Sequence, residues 1–345
     1  MKRVVIHIGL PKTGTTSIQA FLRANADALR EQGVVYPGMR EHPLLETRAS
    51  HTIFLNAVAG RPLVAGTTPE QCREAIETAF DSFRKDEAAK TLIWSHEGLS
   101  MALHRLDWAY LAGLLEELEV TFLIYTRFTD HLMEALYHQN IWERATPIRE
   151  HQYDVPLQTA EARMRIMPHL SLVAQRQTIR RGLPAAGIKF RSYDRVNAKS
   201  KLLSDALVGC GVNLVGRLAD PDASTPRRNR SNPTAHTMLL YQLQMAGADF
   251  QMIRDIAEAL QKRRDTEPIA VESKTFRFLG EAAMLKARAQ YRRDRDRFPK
   301  LPAQPFPAQA AAETELTREE AVAILQSFRP LISDELFERA CAILT

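Results

Sequence analysis

Cysteine is scarce in this chain. Cys72, Cys210 and Cys341 are the three in 345 residues, far apart and in no Cys-x-x-Cys pair. Such spacing excludes a disulfide framework and a cysteine zinc site. It points to a reducing compartment, so a cytoplasmic protein is expected. Long apolar runs are missing as well: no window approaches the ~20 apolar residues of a membrane helix. The run Val4–Ile8 that follows Met1-Lys2-Arg3 is too short for a signal peptide and lacks a small-residue cleavage site. No repeat occurs at solenoid or propeller periods. Charge of one sign is in short supply too: 46 basic against 41 acidic residues leave a net charge of +5. With no basic stripe interleaved with aromatics, a nucleic-acid partner is not expected, whereas one basic pocket for a small anion is. What the chain does have is 45% hydrophobic residues, enough for a packed core.

Strand and helix patterns alternate along the first two-thirds. Val4–Ile8, Leu92–Ser95 and Thr121–Tyr125 are short apolar runs of the kind buried on both faces of a sheet, and Ile188–Tyr193 predicts a fourth strand. Between them, helices are predicted from Ser17 to about Arg30, from Pro69 to about Phe83, after a cap at Asp107, over Asp130 to about Trp142, and up to Gly182. This order predicts an α/β fold with a central parallel sheet in three layers, plus a helical C-terminal region. Long helices are expected over Met238–Lys262 and Lys274–Arg293, a proline-rich strap over Phe298–Ala308, and short helices from Thr317 and over Asp334–Leu344. The expected organisation is an α/β core over 1–235, a helical region over 236–295, and the strap with the terminal helices over 296–345. Ligands of such sheets bind beyond the carboxyl ends of the strands, so the chemistry is sought after Ile8, Ser95, Tyr125 and Tyr193.

The first of these places reads Gly9-Leu10-Pro11-Lys12-Thr13-Gly14-Thr15-Thr16-Ser17. Glycines let the backbone turn and present N–H groups, the helix start adds its positive dipole end, and Lys12 adds a full charge. Compared with a Walker loop, the glycines at 9 and 14 and the hydroxyl residue Thr16 match, but Thr15 stands where the lysine belongs. Neither Leu92–Ser95 nor Phe122–Tyr125 runs directly into an aspartate that could hold magnesium. A P-loop kinase or NTPase is therefore the alternative rather than the first choice, and no metal is expected. The second strand ends in Ser95-His96-Glu97, which sets two candidate general bases at the crevice mouth, Glu97 and His96. A basic loop, Arg227-Arg228-Asn229-Arg230-Ser231, offers charge suited to a phosphate.

Gly9–Ser17, with Gln19, Leu22 and Gly33-Val34-Val35-Tyr36-Pro37, resembles the bacterial branch of the sulfotransferases that use 3′-phosphoadenosine 5′-phosphosulfate (PAPS). The resemblance covers roughly residues 1–235 and is strongest in the first 40. It implies a P-loop-like fold and a sulfuryl transfer from PAPS to an acceptor hydroxyl or amine (glycan, lipid or small molecule), leaving 3′,5′-diphosphoadenosine. It implies that the loop of Pro11, Lys12, Thr13, Gly14, Thr15, Thr16 and Ser17 binds the nucleotide, that the backbone N–H groups of Lys12–Thr16 and the Thr15 and Thr16 hydroxyls hold the 5′-phosphate, and that Lys12 sits near the bridging oxygen. It further implies that Arg127 binds the 3′-phosphate, that the loop with Arg228, Asn229 and Ser231 closes over the nucleotide, and that Ser-x-Glu carries the base. The family's serine eight residues after the arginine is Ala135 in this chain, one donor fewer. That loss supports the other alternative, a nucleotide-binding protein without catalysis.

Overall fold

A computed structural model describes residues 1–45, 50–60, 66–146, 171–197, 201–212, 232–263, 270–273, 276–303 and 315–344. The chain divides into two compact units. One draws on Met1–Phe128, Pro168–Arg228 and Gln290–Ala303, the other on Thr129–Met167, Asn229–Ala289 and Gln304–Thr345.

The first unit is built on five parallel strands in the order β2-β3-β1-β4-β5: β1 (Arg3–His7), β2 (Val34–Val35), β3 (Thr91–Ser95), β4 (Glu119–Thr126) and β5 (Gly187–Ser192). The first strand lies at the centre, with Val4 level with Leu92 on one side and Val120 on the other. Val4, Val5 and Ile6 are buried, as a strand covered on both faces requires. On one face Val5, Ile93, Leu123 and Tyr125 pack with α1 (Thr15–Ala24), α2 (Ala26–Arg30) and α10 (Leu202–Gly209) through Ile18, Phe21, Leu29, Leu203 and Leu207. On the other face Trp94 stacks with Phe54 of α3 (Ser50–Ala59) at 4.7 Å and with Phe80 of α4 (Pro69–Lys85) at 6.1 Å. Trp108, which opens α6 (Trp108–Leu114), meets Phe122 at 6.5 Å. Helices on both faces of an all-parallel sheet make the three-layer, P-loop-like α/β fold.

Local chemistry explains the boundaries. Thr68 and Gln71 form a reciprocal capping box at α4, with Pro69 in the first turn, and Asp107 caps α6 by accepting the Tyr110 N–H at 3.0 Å. The expected helix from Ser17 to Arg30 is broken into two at Asn25, whose side chain donates to the Phe21 carbonyl at 2.9 Å. Helix α3 arises within a stretch whose pattern predicted no element. Its residues Ile53–Val58 are buried, so this helix builds core.

The second unit is helical. It opens with α7 (Thr129–Arg144) and includes α11 (Thr234–Met245) and α12 (Phe250–Arg263). The single helix expected over Met238–Lys262 is two. Gly247, at φ 88°, ends the first, with the Ala248 N–H returning to the Leu243 carbonyl, and Asp249 caps the second on the Met252 N–H. Several of its buried polar groups are paired: His236 and Arg263 both meet Glu272, Arg288 meets Asp130, and Glu134 accepts the Phe278 and Leu279 amides. Among the described residues, no helix is long and apolar enough to cross a membrane.

Candidate active site

The loop after β1 belongs to the first unit, and hydrogen bonds extend the sheet into it. The Tyr125 N–H donates to the Gly9 carbonyl at 2.7 Å, and the Leu10 N–H to the Tyr125 carbonyl at 2.9 Å. Beyond Leu10 the chain leaves the sheet by two left-handed residues, Lys12 at φ 61° and Gly14 at φ 78°. For a lysine that conformation costs about 1–2 kcal/mol, so the surrounding contacts must hold it. Left-handed residues in alternation turn successive N–H groups to one side, as an anion nest does. Gly14 is also the N-cap of α1 and leaves the helix start without a side-chain cap, and no acidic residue lies in the first turn. The first amides of α1 thus keep the unpaired donors and the positive end of the dipole. Glycine suits position 14, where φ 78° strains an L-residue and a Cβ would crowd the Leu202 and Tyr193 side chains.

The loop side chains divide by direction. Pro11, Thr13 and Thr15 are buried, whereas Lys12 and Thr16 are exposed and Ser17 is half-buried. The Thr13 hydroxyl donates to the Leu10 carbonyl at 2.6 Å and the Thr15 hydroxyl reaches the same carbonyl at 3.4 Å. These two hydroxyls brace the loop from inside.

Glu97 sits against this loop. A Cβ on Gly9 would meet the Glu97 Cβ at 2.9 Å and its Cα at 3.1 Å, so the absence of a side chain at 9 lets the strand-end glutamate approach. Glu97 precedes the short helix α5 (Gly98–Ala102), yet its side chain makes no cap bond to it. Instead the Gln19 carboxamide of α1 donates to Glu97 Oε2 at 3.3 Å and to the Ser95 carbonyl at 3.2 Å. His96 is differently engaged. The Gly98 N–H donates to His96 Nδ1 at 2.9 Å, which assigns the proton of the neutral ring to Nε2. Burial holds this imidazole below its ordinary value, and the neighbouring Glu97 carboxylate only partly offsets that. Behind them, His7 is buried on β1 with Nδ1 2.8 Å from the Ser95 hydroxyl, the hydrogen-bonded core histidine its place inside a strand suggests, and burial pushes it down to about 4.

Arg127 follows β4 and reaches across to the loop. Its Nη1 donates to the Lys12 carbonyl at 3.2 Å, and its guanidinium lies 5.5 Å from the Tyr193 ring centre. Its nearest carboxylate is Asp194 at 3.9 Å, beyond hydrogen-bond range, and Nε is buried with no hydrogen-bond partner among the described residues. Arg191, on the rim at β5, is fully committed to Asp205, which also accepts the Tyr125 hydroxyl at 2.6 Å.

Thus Glu97 after β3, Arg127 after β4 and Tyr193 after β5 all gather around the loop that follows β1, with His96 next to Glu97, at the strand ends where ligands of such sheets bind. Arg228, Asn229, Arg230 and Ser231 lie outside the described residues, and Ala135 belongs to α7 of the second unit. Sequence reasoning gave Gln19 no chemical role, and it passed over Tyr193 and Asp194. Gln19 carries a readable signal, since it lies one helical turn beyond Thr15 on α1. Tyr193 and Asp194 open α9 (Tyr193–Asn197) directly after β5. Among the described residues no group of histidine, cysteine, aspartate and glutamate could hold a metal ion.

No family model matches the chain, and no curated protein matches it. Among solved structures it is similar to the crystal structure of a sulfotransferase from Alicyclobacillus acidocaldarius. The identity is 12% and the TM-score 0.37, over 71% of this chain and 96% of that one.

Proposed function

We propose that the chain is a sulfotransferase that moves a sulfuryl group from PAPS to an acceptor hydroxyl or amine, in line and without a metal. The observation that carries this is the contact of a carboxylate residue with an anion nest, Glu97 packed on Gly9 at the mouth of a loop that holds Lys12. A nest alone would suit any phosphate; a general base at its lip suits transfer to a protic acceptor. The residues fit the nucleotide. The open first turn of α1 suits the 5′-phosphate, Arg127 with its unsatisfied Nε suits a second phosphate, and the Tyr193 ring offers a face for a base.

PAPS supplies an activated sulfuryl group on a phosphate leaving group. Lys12 and the loop amides stabilise the charge that gathers on that leaving group. Glu97 accepts the acceptor's proton. His96 suits this role less, because Nδ1 is taken by the Gly98 amide and Nε2 already carries its proton. A sulfuryl group carries less charge than a terminal phosphoryl group, so Lys12 and Arg127 suffice where a kinase needs magnesium. Radiolabelled PAPS tests the proposal: the protein should release or transfer labelled sulfuryl, and Lys12→Ala should lower that rate by about 10²–10³-fold. Transfer by Lys12→Ala at the native rate would refute the role of the loop.

A further inference from the structure

Gln19 makes more contacts than a helix-surface glutamine needs. Its Nε2 lies 3.2 Å from the Ser95 carbonyl, 3.4 Å from the Ser95 hydroxyl and 3.3 Å from Glu97 Oε2. A carboxamide nitrogen carries two hydrogens, so one serves Ser95 and the other Glu97. Ser95 is fixed by β3 and by His7. The amide is therefore anchored at the strand end and holds one oxygen of a side chain that otherwise turns about three bonds. Left free, such a glutamate would have to give up its rotamer entropy each time it met the acceptor. Oε1 has no hydrogen-bond partner among the described residues.

We infer that Gln19 is a positioning residue that pins Glu97 by Oε2 and leaves Oε1 to take the acceptor's proton. This rests on the assignment of Glu97 as the base of a sulfuryl transfer. As the acceptor's lone pair bonds to sulfur, its proton passes to Oε1, and the sulfur–oxygen bond to the nucleotide breaks with its electron pair on the phosphate. Gln19 neither gives nor takes a proton in that step. Its carboxamide is spent on Ser95 and Glu97, so its loss is expected to fall on turnover rather than on nucleotide binding.

The test uses Gln19→Met, which keeps length and removes the donor, alone and combined with Glu97→Gln. Turnover is read as labelled sulfate released from PAPS to water, and binding as calorimetry with 3′,5′-diphosphoadenosine. Gln19→Met should lower kcat about 10–100-fold with nucleotide affinity unchanged, and should add nothing in the Glu97→Gln background. Losses that multiply in the double variant, or a parallel loss of nucleotide affinity, would overturn the inference. Native turnover in Glu97→Gln would overturn it together with the assignment of the base. Crystal structures of the wild type and Gln19→Met give a second readout that needs no activity. The Glu97 carboxylate should leave its place while Gly9 and Ser95 stay. An unmoved Glu97 refutes the inference even if PAPS is not the donor, and a wild type that ignores the nucleotide refutes the donor alone.

Discussion

Replacing Gly9 with alanine puts a methyl group between the anion loop and Glu97. Gly9 has φ 89°, where an L-residue pays about 1–2 kcal/mol. The new Cβ would lie 2.9 Å from Glu97 Cβ, 3.1 Å from Glu97 Cα and 3.1 Å from Pro11 N. Carbon atoms pack at about 3.5–4.0 Å, so the gap is too small by roughly half an ångström or more. Two of the three neighbours are backbone and cannot swing aside. The strand ends cannot part easily either, since the His96 N–H donates to the His7 carbonyl at 2.9 Å. Overpacking of this kind costs about 1–3 kcal/mol. Together the terms give a loss of roughly 2–5 kcal/mol, which at about 2–4 °C per kcal/mol lowers the melting temperature by about 5–20 °C. If Glu97 is driven off by about 1 Å, turnover falls about 100-fold. Scanning calorimetry, sulfate release from PAPS and titration with 3′,5′-diphosphoadenosine check the two effects separately, with turnover expected to fall further than binding. An unchanged melting temperature with full turnover would refute the contact between loop and base.

Arg127→Ala should weaken 3′,5′-diphosphoadenosine by about 1.5–3 kcal/mol, some 10–150-fold, and ADP much less. Equal losses in the two titrations would limit Arg127 to bracing the Lys12 carbonyl. Arg127→Lys keeps the charge but not the fork, so calorimetry should find it between the two. A third expectation concerns pH. His7 is held at about 4 in the fold against 6.5 when unfolded, so between those values the unfolded chain binds the extra proton. Stability from this residue is therefore complete above pH 6.5 and falls as the pH drops towards 4, by about 3 kcal/mol. His96 and His236, also lowered by burial, act in the same direction, whereas Glu134 and Asp294, raised by burial, act in the opposite one. The clean readout is the difference between wild type and His7→Gln in thermal melts from pH 7 to 4: the variant's slope should be shallower, and identical slopes would refute the assignment.

The parallel sheet is legible in the sequence because its strands are short, apolar and separated by capped helices. Val4–Ile8 and Thr121–Tyr125 carry that signal without help from tertiary contacts. β2 is not legible, since two residues carry no period and Val34–Val35 pairs only because β3 is already there. The breaks at Asn25 and Gly247 were written in residue types that favour them, but the apolar spacing on either side hid them. At the site, the loop and the strand-end residues could be read from order alone. The pairing of Gln19 with Glu97 could not, because it joins residues 78 positions apart. Nor could the occupation of Arg191 by Asp205 or of His96 Nδ1 by the Gly98 amide, which only the folded geometry decides.

The most direct test of the account is a calorimetric comparison of 3′,5′-diphosphoadenosine with ADP, each with and without magnesium. Tighter binding of the ribose-phosphorylated nucleotide, indifferent to the metal, is what a nest on α1 together with Arg127 predicts. Equal affinities, or a preference for the magnesium complex of ADP, would contradict it.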